Sequence, residues 1–261
     1  MRSRLKGRGR RAWRVIAVAV LLVSMLFAPS IPGFAADPAG PGPVETDIAG
    51  GEAAAASEAP FAVQIAYDSA GISVRCTGSQ ISAAWVVTAR HCDSASLRSV
   101  RLGTPHLGAG GTVRSVAARY ASPDGDVLLL KLSVPHAGSY AGLSRTIPSP
   151  GTAARVFGWG DQSEGSGAMS SRVKAASVAV WGPGSDAFGG PSVRTQSRTG
   201  HPLSGDSGGP LIVGGKLVGV LSTSSVLPGG SPPSFTGFYN DHAAISHHLK
   251  WIADVAGVRA S

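Results

Sequence analysis

The sequence predicts an all-β fold closed by one C-terminal helix, and three observations carry that prediction. The 261-residue chain holds 36 glycines and 18 prolines, a composition that favours many turns and short strands over long helices. Short apolar runs recur from Phe61 to Tyr239, separated by Gly, Pro, Ser or Asp, with no helical period between them. Regular short strands of this kind build barrels or a sandwich. A single 3.6-residue apolar stripe stands at the C-terminal end.

Taken in order, residues 1–36 form a segment apart. They hold seven basic residues and no acid, followed by the apolar run Val15 to Ala28 and the small residues Gly33, Ala35 and Ala36. This is the pattern of a cleaved secretory signal peptide. The apolar run is short for a membrane span, which needs about 20 residues, so no stable membrane association is expected after cleavage. The formal net charge of +8 belongs mainly to this segment, because 16 basic and 15 acidic residues remain without it. The basic composition therefore gives no argument for a nucleic-acid partner. Residues 37–47, with three prolines and two glycines, read as an extended propeptide or linker.

From Ile48 onward the texture changes. The runs Phe61–Tyr67, Gly78–Ser82, Trp85–Ala89, Val127–Leu132, Ala154–Trp159, Val173–Val180, Pro210–Val213, Leu217–Ser222 and Thr236–Tyr239 are the predicted strands. They are rich in Val, Ile, Leu or aromatics and bounded by turn residues. Asp161–Ser171 and Pro228–Ser234 read as surface loops. The predicted helix spans about 241–256, with Asp241 as N-cap, an apolar stripe of Ile245, Leu249, Ile252 and Val255, and an end near Gly257. His242, His247 and His248 are expected on its solvated face, since their spacing matches no zinc pattern. No metal and no cofactor are expected. The two cysteines, Cys76 and Cys92, are expected to pair as a disulfide in an exported chain.

Three segments carry chemistry. Gly205-Asp206-Ser207-Gly208-Gly209-Pro210 surrounds a serine with glycines. A serine hydroxyl needs a base to become a nucleophile, and its attack creates an oxyanion that needs pre-aimed donors. Glycines allow the tight turn that brings N–H groups close. Trp85-Val86-Val87-Thr88-Ala89-Arg90-His91-Cys92 delivers a histidine from an apolar strand to a position beside a cysteine, where a disulfide would pin a general base. Asp126 opens the apolar segment Val127–Leu132, and a buried carboxylate there needs a partner such as an imidazolium.

In the order His91, Asp126, Ser207 the chain resembles the chymotrypsin/trypsin family of serine peptidases, whose triad is a standard template for such chemistry. The resemblance rests on Thr88-Ala89-Arg90-His91-Cys92, on Cys76 placed 16 residues before Cys92, on Asp126–Leu132, on Gly158-Trp159-Gly160 and on Gly205–Pro210. It implies two six-stranded antiparallel β-barrels over 48–256, the first at about 61–145 and the second at about 150–240. It implies a secreted, extracellular, monomeric serine endopeptidase acting on protein or peptide substrates, without nucleic acid. His91, Asp126 and Ser207 would be catalytic. The N–H groups of Gly205 and Ser207 would form the oxyanion hole. His201, Ser204, Ser222, Thr223, Ser224 and Gly237 would bind substrate, with Ser222 also supporting Asp126. The pairing of Cys76 with Cys92 is again implied.

Ile48-Ala49-Gly50-Gly51 resembles the family's mature N-terminus. Cutting before Ile48 would free an amine to pair with Asp206, activating a zymogen. His201 stands six residues before Ser207, where an aspartate would favour Arg or Lys. A trypsin-like preference is therefore not expected, and His201 with Ser204 would suit an acidic side chain. Two other readings compete. An α/β-hydrolase also carries G-x-S-x-G, but it needs an acid and a histidine after the serine and a βα succession. Only 54 residues follow Ser207, and they offer short strands and one helix. A catalytically silent binding protein on the same fold is the alternative from another class.

Overall fold

The computed structural model describes residues 49–226 and 235–261. The expected signal peptide (1–36), the propeptide (37–47), Ile48 and the Pro228–Ser234 loop lie outside the described residues. After β1 (Glu52–Ala53) come β2 (Ala62–Ala66), β3 (Val74–Ser82), β4 (Trp85–Thr88), β5 (Ser99–Leu102), β6 (Thr112–Ala121) and β7 (Leu128–Leu132). The strands β2 to β7 close a barrel in the order β2-β3-β4-β7-β6-β5, antiparallel throughout.

The chain continues through β8 (Gly142–Leu143), β9 (Ala153–Gly158), β10 (Lys174–Ser185), β11 (Pro191–Ser197), β12 (Pro210–Val213), β13 (Lys216–Val226) and β14 (Phe238–Ala244). These form a second six-stranded antiparallel barrel, β9-β10-β11-β14-β13-β12, closed by pairing of β12 with β9. The short β1 extends the β10 edge, and β8 runs parallel to β13. The helix α1 (Ile245–Ala256) ends the fold. The fold class is all-β with two six-stranded barrels and one terminal helix.

Apolar runs become the inner strands. Val127, Leu128, Leu129 and Leu130 are all fully buried, so this unbroken apolar run is covered on both faces, and β7 turns to solvent only at Lys131. The strands β5, β6 and β11, and the two-residue β1 and β8, lie outside the predicted runs. Thr112–Ala121 mixes two arginines with alanines and lies largely at the surface, and Pro191–Ser197 offers one large aliphatic residue, Val193. Their pairing is decided by neighbours rather than by their own composition.

The helix begins at Ile245, not at Asp241. Asp241 belongs to β14, opposite Arg194 and Thr223. Its carboxylate accepts from Ser192 Oγ (2.6 Å) and pairs with the Arg194 guanidinium (2.8 Å). That cross-strand pair holds the residue in the sheet, and Ala244 precedes the helix without a side-chain cap. The expected stripe faces inward, with Ile245 and Ile252 fully buried and Leu249 and Val255 packed beside them. Gly257 ends the helix at φ 69°, and its N–H reaches Ala253 O. The expected solvated histidine face is corrected. His242 lies in β14 and is fully buried, His248 is buried at 1% exposure, and only His247 is exposed.

Candidate active site

The site forms where the end of β4, the start of β7 and the turn before β12 meet. A short 3₁₀ turn, Arg90–Cys92, follows β4 and carries His91. The disulfide Cys76–Cys92 ties this turn to β3. Thr88 Oγ1 donates to Thr77 O at 2.7 Å, fixing the strand end below it. Asp126 grips His91 twice. Its Oδ1 accepts the His91 backbone N–H (2.8 Å), and its Oδ2 lies 2.7 Å from Nδ1.

The Asp126 side chain is fully buried. Burial alone would raise its pKa. Hydrogen bonds from His91 and from Ser222 Oγ (2.6 Å to Oδ2) outweigh burial and hold the carboxyl below its ordinary value. An ionised carboxylate only accepts, so Nδ1 carries the proton of the neutral imidazole and Nε2 is left as an acceptor. His91 keeps 30% of its side chain open to solvent.

Ser207 sits between Gly205 (φ 96°) and Gly208 (φ 80°). A Cβ on Gly208 would stand 2.1 Å from Thr88 Oγ1, 2.4 Å from Thr77 O and 2.9 Å from Ala89 N. Only glycine allows this approach, and it presses the serine turn against the strand end that carries His91. Thr77 N–H donates to Ser207 O at 2.8 Å, and Cys92 Sγ touches that oxygen at 3.8 Å. Among the described residues no hydrogen bond joins His91 to Ser207. Bonds of this kind often tighten only when substrate fills the site.

The donors beside Ser207 are oriented from outside. Asp161 N–H binds Ser204 O at 2.7 Å. In a trans peptide the Gly205 N–H then points the opposite way. Among the described residues neither the Gly205 nor the Ser207 N–H has a hydrogen-bond partner. Asp206, between them, is fully buried and accepts N–H groups of Gly160 (2.7 Å) and Leu203 (3.0 Å). Burial pushes its pKa up to about 7, and no cation reaches it among the described residues. A Cβ on Gly158 or Gly160 would lie 2.1 or 2.3 Å from this carboxylate. Ala49 O accepts the His201 N–H at 3.2 Å, so the segment that follows Ile48 docks beside the loop leading to Asp206.

A cavity of about 360 Å³ opens beside Ser207, lined by Pro202, Leu203, Ser204, Ser222, Thr223, Ser224 and Glu164 among others. Two of the expected substrate-binding residues are not in this lining. His201 is buried and stacks on Phe238, with ring centroids 3.7 Å apart, and burial lowers its pKa. Gly237 lies in the short turn Phe235–Gly237 before β14. Behind the wall stands Asn240, bonded to Ser224 Oγ (2.9 Å) and Ser197 Oγ (3.1 Å). Among the described residues no three metal-ligating side chains converge.

The trypsin family model matches residues 48–252. The chain belongs to the trypsin family of serine peptidases. Trypsin alpha of Drosophila erecta is 33% identical over 232 residues, covering 80% of this chain and 87% of that protein. Trypsin alpha-4 of Lucilia cuprina is 32% identical over 233 residues, with the same two coverages. Human heparin binding protein shares the fold, with a TM-score of 0.66 at 24% identity over 80% of this chain and 96% of its own.

Three residues of this trypsin-family chain stand at the site without having been singled out in the sequence. Thr77 and Asn240 carry ordinary polar side chains whose place depends on strand register. Asp186 lies in Ser185-Asp186-Ala187-Phe188-Gly189-Gly190, where the acid and the paired glycines signal a turn but not its destination.

Proposed function

We propose that this chain is a secreted serine endopeptidase that cleaves protein or peptide substrates through an acyl-enzyme. His91 Nε2 takes the Ser207 proton as Oγ bonds to the scissile carbonyl carbon. The oxyanion that forms faces the N–H groups of Gly205 and Ser207. The proton then passes to the leaving amine as the C–N bond breaks, and water repeats the sequence to release the acid. Asp126 keeps the imidazole in the required tautomer and stabilises the imidazolium. One observation carries the reading: the buried Asp126 carboxylate holds both the backbone and the ring of His91 while Ser222 donates to it.

The chain is made with a signal peptide over 1–36 and matures by a cut between Asp47 and Ile48, after which the new amine pairs with Asp206. Its burial without a described cation supports this, because an unpaired carboxylate there is costly and pairing removes the cost. The position six residues before Ser207 holds His201, buried against Phe238 and outside the cavity lining, so no acid at that position selects for Arg or Lys. The protein acts as an extracellular monomer.

A fluorophosphonate probe tests the catalytic reading. Protein beginning at Ile48 should be labelled at Ser207, and the Ser207→Ala and His91→Ala variants should not. Folded, processed protein that resists the probe would instead support a silent binding protein. A peptide library then reads the cleavage preference, and strong selection for Arg would overturn the pocket reading.

A further inference from the structure

We infer that the turn Asp186–Gly190 is a positioning element for the catalytic pair, with Asp186 as its key residue. The inference rests on the triad reading proposed above. The turn leaves the end of β10 in the second barrel and reaches the loop before β7 in the first. Asp186 is buried at 6% exposure. Its Oδ1 accepts the N–H groups of Phe188 and Gly190, each at 2.9 Å, which closes the turn on itself. Its Oδ2 accepts the backbone N–H of Asp126, also at 2.9 Å. One carboxylate therefore shapes its own turn and holds the main chain of the residue that grips His91.

The same turn acts on the other side of Asp126. Ala187 N–H donates to Ser222 Oγ at 2.9 Å. With that lone pair occupied, the hydroxyl proton is directed to Asp126 Oδ2, 2.6 Å away. A third link lies beside His91 itself, where the Arg90 guanidinium stacks on the Phe188 ring at 4.3 Å and donates to Ser122 O at 3.1 Å. Two glycines make the approach possible. A Cβ on Gly125 would stand 2.6 Å from Asp186 Oδ2, and one on Gly190 would stand 2.7 Å from it. The catalytic acid is thus held at its backbone, through Ser222 at its carboxylate, and through the residue before its histidine, all from five consecutive residues of the opposite barrel.

The test replaces Asp186 by Asn. The amide oxygen can still accept from Phe188 and Gly190, but its NH₂ then faces the Asp126 N–H, donor against donor. Expected per titrated active site is a kcat lower by about 10–100-fold, by analogy with the loss of groups that orient a metal's ligands, with KM within about twofold. A second variant, Phe188→Ala, changes an exposed ring and leaves the buried carboxylate in place. It should lower kcat severalfold with KM within about twofold, and it serves alone if the Asn variant fails to fold. Variants that melt earlier yet keep the wild-type kcat per titrated site would overturn the positioning role alone. Processed wild type that does not react at Ser207 would overturn the triad reading and this inference together.

Discussion

At the scale of single residues, Asp126 shows how opposing effects are decided. Burial raises a carboxyl pKa, yet this group is held below its ordinary 3.8 because His91 and Ser222 donate to it. A carboxyl whose folded pKa lies below its unfolded one stabilises the fold above the unfolded value and loses that contribution as pH falls through the folded one. Ser222→Ala removes one donor to a charged acceptor, worth about 1.5–3 kcal/mol. Its acid-unfolding midpoint, followed by tryptophan fluorescence, should move to higher pH, and its stability at pH 7 should fall by about that amount. An unchanged midpoint would mean that Ser222 does not support the charge. Gly160 makes a steric case. A Cβ there would stand 2.3 Å from the buried Asp206 carboxylate, whose Oδ1 accepts the Gly160 N–H. Gly160→Ala should therefore cost about 1–3 kcal/mol or more and displace the Gly205–Ser207 donors. Urea denaturation reads the first effect and the rate of phosphonate labelling the second.

At the scale of elements, the disulfide joins β3 to the turn that carries His91. Closing a loop of this length is worth about 3 kcal/mol in the chain-entropy account. For a domain of this size each kcal/mol moves Tm by roughly 2–4 °C. The double variant Cys76→Ser/Cys92→Ser should therefore melt roughly 6–12 °C lower by calorimetry, and kcat should fall as the imidazole loosens. The elements also show what could be read in advance. The strands β4, β7 and β12 and the inward stripe of α1 were legible because continuous or periodic apolar residues specify burial directly. His91 and Asp126 stand out as candidates because each sits next to such a segment, and Ser207 because glycines surround it. The surface strand β6 was not, because arginine and alanine give no clean alternation. Nor was the role of Asp186, because a turn residue's partner lies 60 positions away and only the docking of the two barrels brings it there. Asp241 misled for a related reason. A good N-cap residue in sequence became a strand residue once Arg194 and Ser192 offered it a stronger set of partners.

At the scale of the molecule, the buried ionisable groups predict how processing changes the dependence of stability on pH. Burial lowers His242 to about 3 and His248 to about 4. Both stay neutral in the fold while the unfolded chain protonates them below about 6.5, so stability falls as pH drops below that value. Each contributes a slope of about 1.4 kcal/mol per pH unit. Unpaired Asp206 works in the opposite sense. Its folded value, about 7, lies above its unfolded 3.8. The stability it contributes is therefore full below 3.8 and is lost as pH rises through 7. Between pH 4.5 and 6.5 it cancels one histidine slope. If cutting before Ile48 places an ammonium against Asp206, the carboxylate ionises in the fold as well, and the cancellation ends. The new amine is protonated in both states over this window, and Asp126 titrates below it. Burial also lowers His136 and His201, which act alike in both forms. Urea denaturation of the Ser207→Ala protein at pH 4.5, 5.5 and 6.5, as precursor and as the form starting at Ile48, should give slopes that differ by about 1.4 kcal/mol per pH unit, the processed form being steeper. Equal slopes would show that the new N-terminus never reaches Asp206.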